Sequence, residues 1–305
     1  MPIIVGAPRS GTTLLRFMLD SHPVLCIPPE TGFLPTVAAA AEMGGFAKEE
    51  LFRIVTTFPP DAPGWADFGL ETDEYWTELQ RIEPFTAGEG LRAFYRLYAR
   101  KQNKPRYGEK TPGYCEHLPA IRNLLPEAHF VHIVRDGRDA ALSLRTRWFA
   151  PAQDMPTLAA YWKGLVRSAR EAGLGSPSYM EVRYEDLVTN PRPALENICS
   201  FLGLTFHPAV LRYWERTPTR LIEHRTRRRL DGSVVVTHEQ RLDQQRLTMC
   251  SPQPERVFRW KTEMTEQEQS EFLAVAGDTL KELGYEVPTP AATIPDVPDR
   301  GPDSY

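Results

Sequence analysis

The sequence predicts an α/β domain of the three-layer P-loop type, with a central parallel sheet of about five strands and helical insertions. Strand-like and helix-like segments alternate from residue 2 to about residue 204, which is typical of a parallel sheet covered on both faces. The first strand, residues 3–5, is β-branched throughout and shows no polar alternation. A glycine-containing loop follows, and after it the apolar residues take helical spacing. This strand–loop–helix order is typical of an anion site.

The length and composition are those of a globular protein with a sizeable core. The chain has 305 residues, of which 41% are hydrophobic and 25% charged, so one large domain or two small ones can form. We expect a single domain over residues 1–287, with helical insertions at 33–104 and 205–250. The stretch 288–305 is a proline-rich tail.

Charge and cysteine usage exclude several classes of protein. A net charge of −4 argues against a general nucleic-acid binder. Apolar runs fall short of the ~20 residues that span a bilayer, and Met1 directly precedes the first strand, so we expect no signal peptide or membrane anchor and a cytoplasmic location. The sequence makes no prediction of oligomeric state. The cysteines lack a Cys-x-x-Cys pair, which favours reduced thiols over a metal site; they are Cys26, Cys115, Cys199 and Cys250.

The loop after the first strand carries one fixed charge and several hydroxyls. Backbone N–H groups at a helix N-terminus favour an anion. Gly11 is not followed by the Lys-Ser/Thr of the usual P-loop, so a magnesium-bound triphosphate is not the expected ligand. The alternative to an anion site is an ordinary capped turn between a strand and a helix. The candidate anion ligands are Arg9, Ser10, Gly11, Thr12 and Thr13.

A second basic constellation follows the strand predicted over residues 129–134. Arg135 ends that strand, Asp136 or Gly137 opens a helix, and Ser143 lies about two turns into it. Arg135 and Ser143 converge on one dianion if the helix runs back along the crevice. The alternative interpretation is a solvated, arginine-rich face.

These motifs resemble those of the sulfotransferases that use 3′-phosphoadenosine 5′-phosphosulfate (PAPS). Residues 6–19, with His22-Pro23 and Glu30-Thr31, look most like the tyrosylprotein branch and its bacterial relatives. Arg9 stands where the cytosolic small-molecule enzymes have lysine. The resemblance implies that the loop holds the 5′-phosphosulfate. It also implies sulfuryl transfer from PAPS to an acceptor hydroxyl, with release of adenosine 3′,5′-bisphosphate. We expect the transfer to need no metal, because Arg9, Lys110, Arg259 and the helix dipole supply positive charge.

The same resemblance suggests further nucleotide ligands. Arg135 and Ser143 match the family's 3′-phosphate site, and Arg147 matches a further nucleotide-binding arginine. Tyr184 matches a tyrosine whose ring packs against the adenine, although packing under the next helix is the alternative. Arg259, in a basic–tryptophan pair, is expected to reach the phosphosulfate.

Two candidate catalytic residues lie at the ends of predicted strands: Glu30 follows the strand predicted over residues 24–27, and Lys110 ends the strand predicted over residues 106–110. At the spacing of Glu30 from the loop, the tyrosylprotein enzymes have their catalytic glutamate, a role that calls for burial to raise the pKa of the carboxyl. The alternative for Glu30 is a helix first-turn acid. Lys110 matches a lysine that neutralises the transferring group; the alternative is a surface lysine. Pro112 stands where cytosolic enzymes have a histidine base, which favours Glu30.

The insertions leave the acceptor open. Aromatic residues within 33–104 either line an acceptor pocket or form core. The seven arginines from Arg220 to Arg246 form either a mobile flap or a charged exposed face. We expect a small phenol or alcohol as acceptor, rather than a peptide tyrosine. A P-loop kinase or phosphotransferase, or an inactive PAPS-binding protein, are the alternative functions.

Overall fold

The computed structural model describes residues 1–287, so the predicted tail at 288–305 lies outside the described residues. The strands are β1 (Pro2–Val5), β2 (Leu25–Cys26), β3 (Arg106–Tyr107), β4 (Glu109–Lys110), β5 (His129–Val134), β6 (Tyr179–Arg183), β7 (Arg227–Arg228) and β8 (Val234–Val236). The helices are α1 (Thr12–Asp20), α2 (Leu34–Glu42), α3 (Lys48–Thr57), α4 (Thr72–Gln80), α5 (Ala87–Lys101), α6 (Leu118–Leu124), α7 (Gly137–Leu144), α8 (Met155–Gly173), α9 (Tyr184–Thr189), α10 (Pro191–Phe201), α11 (Thr217–Leu221), α12 (His238–Gln245), α13 (Trp260–Glu263) and α14 (Glu266–Glu282).

The central sheet is parallel and has four strands in the order β4-β1-β5-β6. The expectation of about five strands is corrected here, because β2 pairs with β3 in a separate two-stranded sheet. The single strand expected at 106–110 is divided at Gly108. The Gly108 N–H still donates to Cys26 O at 2.8 Å, whereas Glu109 already lies beside Ile3 of β1.

Each face of the sheet is covered by helices, as a three-layer α/β fold requires. Ile3 and Val5 face one apolar cluster together with α5, α8 and α14. Ile4 faces the other, with α1 and α10. Successive residues of a strand point to opposite faces, so β1 needs apolar residues at every position. This explains the missing polar alternation.

The aromatic residues of the 33–104 insertion form core. Phe94 is fully buried and packs edge-on against Phe33, with ring centroids 5.5 Å apart. Tyr95 is also fully buried and stacks on Tyr107. Of the two interpretations of these residues, the structure supports core packing.

The four strands of the central sheet end at one edge. The loop after β1, Thr111 after β4, Arg135 after β5 and Tyr184 after β6 therefore meet there. In open parallel sheets, ligands bind in the crevice at this carboxyl edge. Across residues 1–287, none of the helices is both long enough and apolar enough to span a bilayer.

Candidate functional site

The loop after β1 is shaped as an anion cradle. Gly11 has a φ of +100°, and a Cβ built there would lie 2.4 Å from Cδ2 of Tyr184. Only glycine allows the Tyr184 ring to approach this closely. Helix α1 begins at Thr12 without a side-chain cap, and the buried Ser10 Oγ has no hydrogen-bond partner within residues 1–287. These unsatisfied donors fit a bound phosphate or sulfate.

Arg9 joins this cradle to the second basic constellation. The Arg9 Nε donates to Ser143 Oγ at 3.1 Å, and Arg135 Nη1 donates to the Arg9 carbonyl oxygen at 3.1 Å. Burial, followed by repulsion from Arg147 and Arg135, lowers the pKa of Arg9 to about 10. Clustered buried guanidiniums indicate that an anion belongs among them. Two pockets that the sequence predicts separately are therefore contiguous.

Tyr184 and Arg135 form one wall of the resulting cavity. The Arg135 guanidinium carbon lies 4.4 Å from the centroid of the Tyr184 ring, a cation–π distance. The Cδ2 and Cε2 atoms of the same ring lie against Gly11. This places an aromatic surface beside both anion-binding segments.

Asp139, which the sequence did not single out, positions the loop that carries Arg256 and Arg259. Its carboxylate accepts from the N–H groups of Phe258 and Trp260 at 2.8 and 2.9 Å. Arg135 Nη2 donates to the carbonyl oxygen of Arg256 at 3.0 Å, and Arg256 lines the cavity. Arg259 is instead paired with Glu263 and is absent from the cavity walls within the described chain.

The structure therefore brings Arg256, and not the predicted Arg259, into the wall of the cavity that Arg135 and Ser143 line. Within the described chain, the predicted ligand Arg147 does not line this cavity. The basic–tryptophan pair drew attention to Arg259, and no sequence signal marked the arginine three positions earlier. This cavity has an empty volume of about 770 Å³, and we call it the donor-side cavity because the family resemblance implies a nucleotide donor at these residues. Among its lining residues are Arg9, Gly11, Thr12, Thr13, Arg135, Ser143, Tyr184, Tyr213, Gln244, Gln245, Gln253 and Arg256.

Glu30 and Lys110 form an ion pair at the edge of the anion cradle. Lys110 Nζ also lies 3.3 Å from Thr13 Oγ1. The Lys110 side chain is 4% exposed, and that of Glu30 is 51% exposed towards the cleft. The carboxylate is therefore accessible to a second substrate, while the ammonium faces the cradle.

The electrostatics of this pair differ from the expectation that burial raises the pKa of Glu30. Burial disfavours the negative charge of Glu30 and by itself would raise the pKa. The positive charge and the hydrogen bond of Lys110 together have the larger effect, so the pKa of Glu30 is lowered. Burial lowers the pKa of Lys110 as well, although Glu30 opposes that effect. Glu30 is thus held as a carboxylate by a cation that a substrate anion can attract away.

A second cavity, which is lined by both members of this pair and which we call the acceptor-side cavity after the acceptor that the family resemblance implies, has an empty volume of about 1360 Å³. It shares with the first cavity the walls formed by Arg9, Thr12, Thr13, Gln244 and Gln245. Its further lining residues include Arg16, Glu30, Lys110, Thr111, Trp148, Phe149, His224, Arg227, Val235, Val236 and Arg241. The two cavities meet at the anion cradle, which is the arrangement that transfer between two bound substrates requires.

Residues 225–245 cover both cavities, and we call this segment the lid. It contains the β7–β8 hairpin and α12. Asp67, a buried residue of the 33–104 insertion, fixes the lid: it accepts from the Arg225 N–H at 3.0 Å and pairs with Arg227 and Arg241 at 2.8 Å each. Arg220, before the lid, is buried against Asp20. The arginine run therefore contains structural ion pairs as well as cavity residues.

Comparison with known proteins decides the family. Residues 3–208 match the family model described as "Sulfotransferase family". The chain belongs to this family. The nodulation protein NoeE of Sinorhizobium fredii is 27% identical to this sulfotransferase over 98% of the chain and 69% of NoeE. The protein-tyrosine sulfotransferase 2 of Gallus gallus is 29% identical, over 70% of the chain and 54% of that protein.

Solved structures agree on the fold. The sulfotransferase domain of the Synechococcus PCC 7002 olefin synthase is 24% identical, with a TM-score of 0.61 over 94% of this chain and 95% of that one. The sulfotransferase domain from the curacin biosynthetic pathway is 21% identical with the same TM-score, over 94% and 98% of the two chains. The predictions of a three-layer α/β fold and of a sulfotransferase enzyme are confirmed.

Within residues 1–287, no group of three or more His, Cys, Asp or Glu side chains is arranged to hold a metal ion. The positive charge at the site comes from arginine and lysine side chains.

Proposed function

We propose that this sulfotransferase moves a sulfuryl group from PAPS to the hydroxyl of a small acceptor, giving a sulfate ester and adenosine 3′,5′-bisphosphate. One observation carries the proposal: a cationic donor-side cavity and an acceptor-side cavity meet at Arg9 and Thr13, beside the Glu30–Lys110 pair.

The donor-side cavity offers two groups of ligands for a nucleotide with two phosphorylated positions. Arg9, the Ser10 hydroxyl and the N-terminus of α1 would hold the 5′-phosphosulfate. Arg135 and Ser143, with Arg256 beside them, would hold the 3′-phosphate. Tyr184 would contact the adenine. The unpaired Ser10 hydroxyl and Arg135 Nε within residues 1–287 support a polar ligand in this place.

Glu30 would act as the general base. Its carboxylate takes the proton of the acceptor hydroxyl while that oxygen forms a bond to sulfur. The bond from sulfur to the bridging oxygen of the 5′-phosphate breaks, and the bisphosphate leaves with the electron pair. Lys110 and the N-terminus of α1 would stabilise the negative charge that accumulates on the leaving oxygen.

The ion pair suggests how the base is activated. Lys110 lies between Glu30 and Thr13, so an anion in the cradle competes with Glu30 for the ammonium. Weakening the pair removes the interaction that lowers the pKa of Glu30. Donor binding would therefore increase the proton affinity of Glu30 at the time when the acceptor must lose a proton.

A small phenol or alcohol is the acceptor that we propose. The acceptor-side cavity lies under the lid, and the Asp67 pairs hold the lid in contact with the 33–104 insertion. Several relatives are named protein-tyrosine sulfotransferases, so a tyrosyl peptide belongs in the test panel. Preferential sulfation of that peptide would contradict the small-acceptor proposal and leave the donor chemistry intact.

The decisive variant is Glu30→Gln, which preserves shape and removes the base. We expect unchanged affinity for adenosine 3′,5′-bisphosphate by calorimetry, and turnover lower by about 100-fold or more with labelled PAPS. Glu42→Gln, at an exposed position at the end of α2, is the matched control and should change neither quantity. Near-normal turnover of the Glu30 variant would remove Glu30 from the base role. If the bisphosphate failed to bind the wild-type protein, the donor itself would be wrong.

A further inference from the structure

The wall of the acceptor-side cavity carries an excess of positive charge. Five lining residues are basic, and Glu30 is the acidic one among the lining residues of the described chain. Lys110 is paired with Glu30, and Arg9 belongs to the anion cradle. The basic and imidazole groups left for an acceptor are Arg16, His224, Arg227 and Arg241.

Arg227 and Arg241 bring one more positive charge than their partner neutralises. Both guanidiniums pair with the single carboxylate of Asp67, each at 2.8 Å. Asp67 is 4% exposed, so water screens this group of charges poorly. One positive charge therefore remains uncompensated beside the cavity.

Arg16 lines the same cavity and has a donor without a hydrogen-bond partner within residues 1–287. It is 1% exposed, and its Nε donates to the carbonyl oxygen of Ile27 at 3.0 Å. Its Nη2 lies 3.5 Å from Glu223 but makes no hydrogen bond to any of residues 1–287. Glu223 already accepts from Arg220, Tyr98 and Gln102. Burying an N–H group without a hydrogen-bond partner costs free energy, so a substrate oxygen that accepts this hydrogen bond would be stabilised here.

His224 adds a second unsatisfied polar atom. The residue is 9% exposed, lines the cavity, and its Nε2 is buried without a hydrogen-bond partner in the described part of the chain. Burial, followed by repulsion from Arg241, Arg16, Lys110 and Arg227, lowers the pKa of His224 to about 2. The imidazole is therefore neutral, and its buried Nε2 can bond to a polar group of the acceptor without adding a charge to the cavity.

We propose that the acceptor is a small hydroxyl compound that carries a carboxylate, and that this carboxylate binds beside Arg16, His224 and Arg227. The inference rests on the proposed function and names its substrate class. A carboxylate would accept from Arg16 Nη2 and balance the single excess charge. Trp148 and Phe149, which are 65% and 40% exposed and line the same cavity, supply apolar surface for the body of such a compound.

Matched acceptors test this proposal. The pair 4-hydroxyphenylacetate and its methyl ester presents the same phenol with and without the negative charge, and an aliphatic hydroxy acid with its methyl ester repeats the comparison. With labelled PAPS we expect kcat/KM to favour the acid by about tenfold or more, as one charge-assisted hydrogen bond provides. Calorimetry on the protein saturated with adenosine 3′,5′-bisphosphate should show the same preference in Kd.

Variants assign the effect to the cavity. Arg227→Gln removes the excess charge, so the acid-to-ester ratio should fall towards one. Arg228→Gln changes the next residue of the same strand, which is exposed and lies outside the cavity wall, and should leave both acceptors unaffected. Because Arg227 is partly exposed on a hairpin, this variant avoids the buried core around Arg16.

The outcomes separate this inference from the function on which it rests. Esters that bind and react as well as the acids, or an acid preference that survives in Arg227→Gln, would overturn the carboxylate site and leave sulfuryl transfer intact. Bisphosphate binding without labelled product from any acceptor would instead contradict the proposed function. In that case the Kd comparison still decides the carboxylate site, since equal binding of acid and ester overturns it.

Discussion

Arg9 has a backbone conformation that non-glycine residues seldom adopt. Its φ is +70°, in the left-handed region, where a side chain costs on the order of 1 kcal/mol. The neighbouring Ser10 N–H donates to the Ala7 carbonyl oxygen at 3.0 Å, and Arg135 donates to the carbonyl oxygen of Arg9 itself. These contacts hold the strained residue so that its guanidinium reaches Ser143. Strain held in this way is typical of functional loops.

Two arginines three positions apart give a discriminating prediction at the residue scale. Arg256 lines the donor-side cavity, whereas Arg259 is paired with Glu263. Arg256→Ala should therefore weaken binding of adenosine 3′,5′-bisphosphate by about 1.5–3 kcal/mol, as expected for a lost bond to a charged group. Arg259→Ala should leave the affinity within about 0.5 kcal/mol. Calorimetry with the bisphosphate measures both.

The two variants also distinguish Arg259, the ligand that the family resemblance implies, from Arg256, the residue that lines the cavity. A large loss in Arg259→Ala with none in Arg256→Ala would support the ligand that the family resemblance implied and contradict the placement of the loop. The contiguous motif from Arg9 to Thr13 was predictable because adjacent residues must share one loop. Arg256 was not, because its position depends on the contacts of Asp139 with Phe258 and Trp260, more than 100 residues further along the chain.

At the scale of elements, one buried carboxylate holds the lid in place. Asp67 accepts from the Arg225 N–H and pairs with Arg227 and Arg241, which fixes the hairpin and α12 to the opposite insertion. The donors come from residues 158 to 174 positions away. Neither insertion alone carries this information in its sequence, so the sequence is compatible with both a mobile flap and a charged exposed face.

Asp67→Asn should loosen the lid without unfolding the sheet. The amide cannot neutralise two guanidiniums, and their mutual repulsion then favours an open lid. We expect trypsin to cleave the arginines between 225 and 241 at least about tenfold faster than in the wild type, because local opening exposes the backbone. Adenosine 3′,5′-bisphosphate should restore part of the protection, since Gln244 and Gln245 line the donor-side cavity.

Asp61→Asn, an exposed acid in the same insertion, is the control and should digest at the wild-type rate. If the Asp67 and Asp61 variants were cleaved alike, the lid would be held by its apolar contacts, and Asp67 would not be the fixing group. Circular dichroism at the digestion temperature distinguishes local opening from global unfolding.

At the scale of the whole molecule, the edge of the central sheet gathers residues from distant parts of the chain. The sequence predicted this edge because Arg9, Lys110, Arg135 and Tyr184 each lie at or just after the end of a predicted strand, and the carboxyl ends of parallel strands share one edge. It did not predict the four-stranded sheet. The division of the 106–110 strand at Gly108 follows from tertiary pairing with Cys26 on one side and with β1 on the other.

A buried carboxyl next to the site links global stability to pH. Glu109, the residue before Lys110, is fully buried. Its carboxyl accepts hydrogen bonds from the hydroxyls of Tyr95 at 2.8 Å and Thr111 at 2.7 Å. Burial raises its pKa from 4.5 to about 7, although these hydrogen bonds oppose the effect. The folded state therefore binds a proton more tightly than the unfolded state does. The stabilisation is present below pH 4.5 and is lost as the pH rises through about 7.

Glu109→Gln should abolish this part of the pH dependence. The neutral amide mimics the protonated acid, so the two proteins should be similarly stable near pH 4.5, and the variant should gain over the wild type as the pH rises. The full gain above pH 7 is about 3 kcal/mol at most, from a pKa rise of that size. Urea unfolding at pH 4.5, 6 and 8 measures the difference, in which the other titrating groups cancel. Glu116→Gln, at an exposed position nearby, should follow the wild type at every pH. A constant difference between Glu109→Gln and the wild type across this range would show that Glu109 is ionised in the folded protein, held so by Lys110 and its hydrogen bonds.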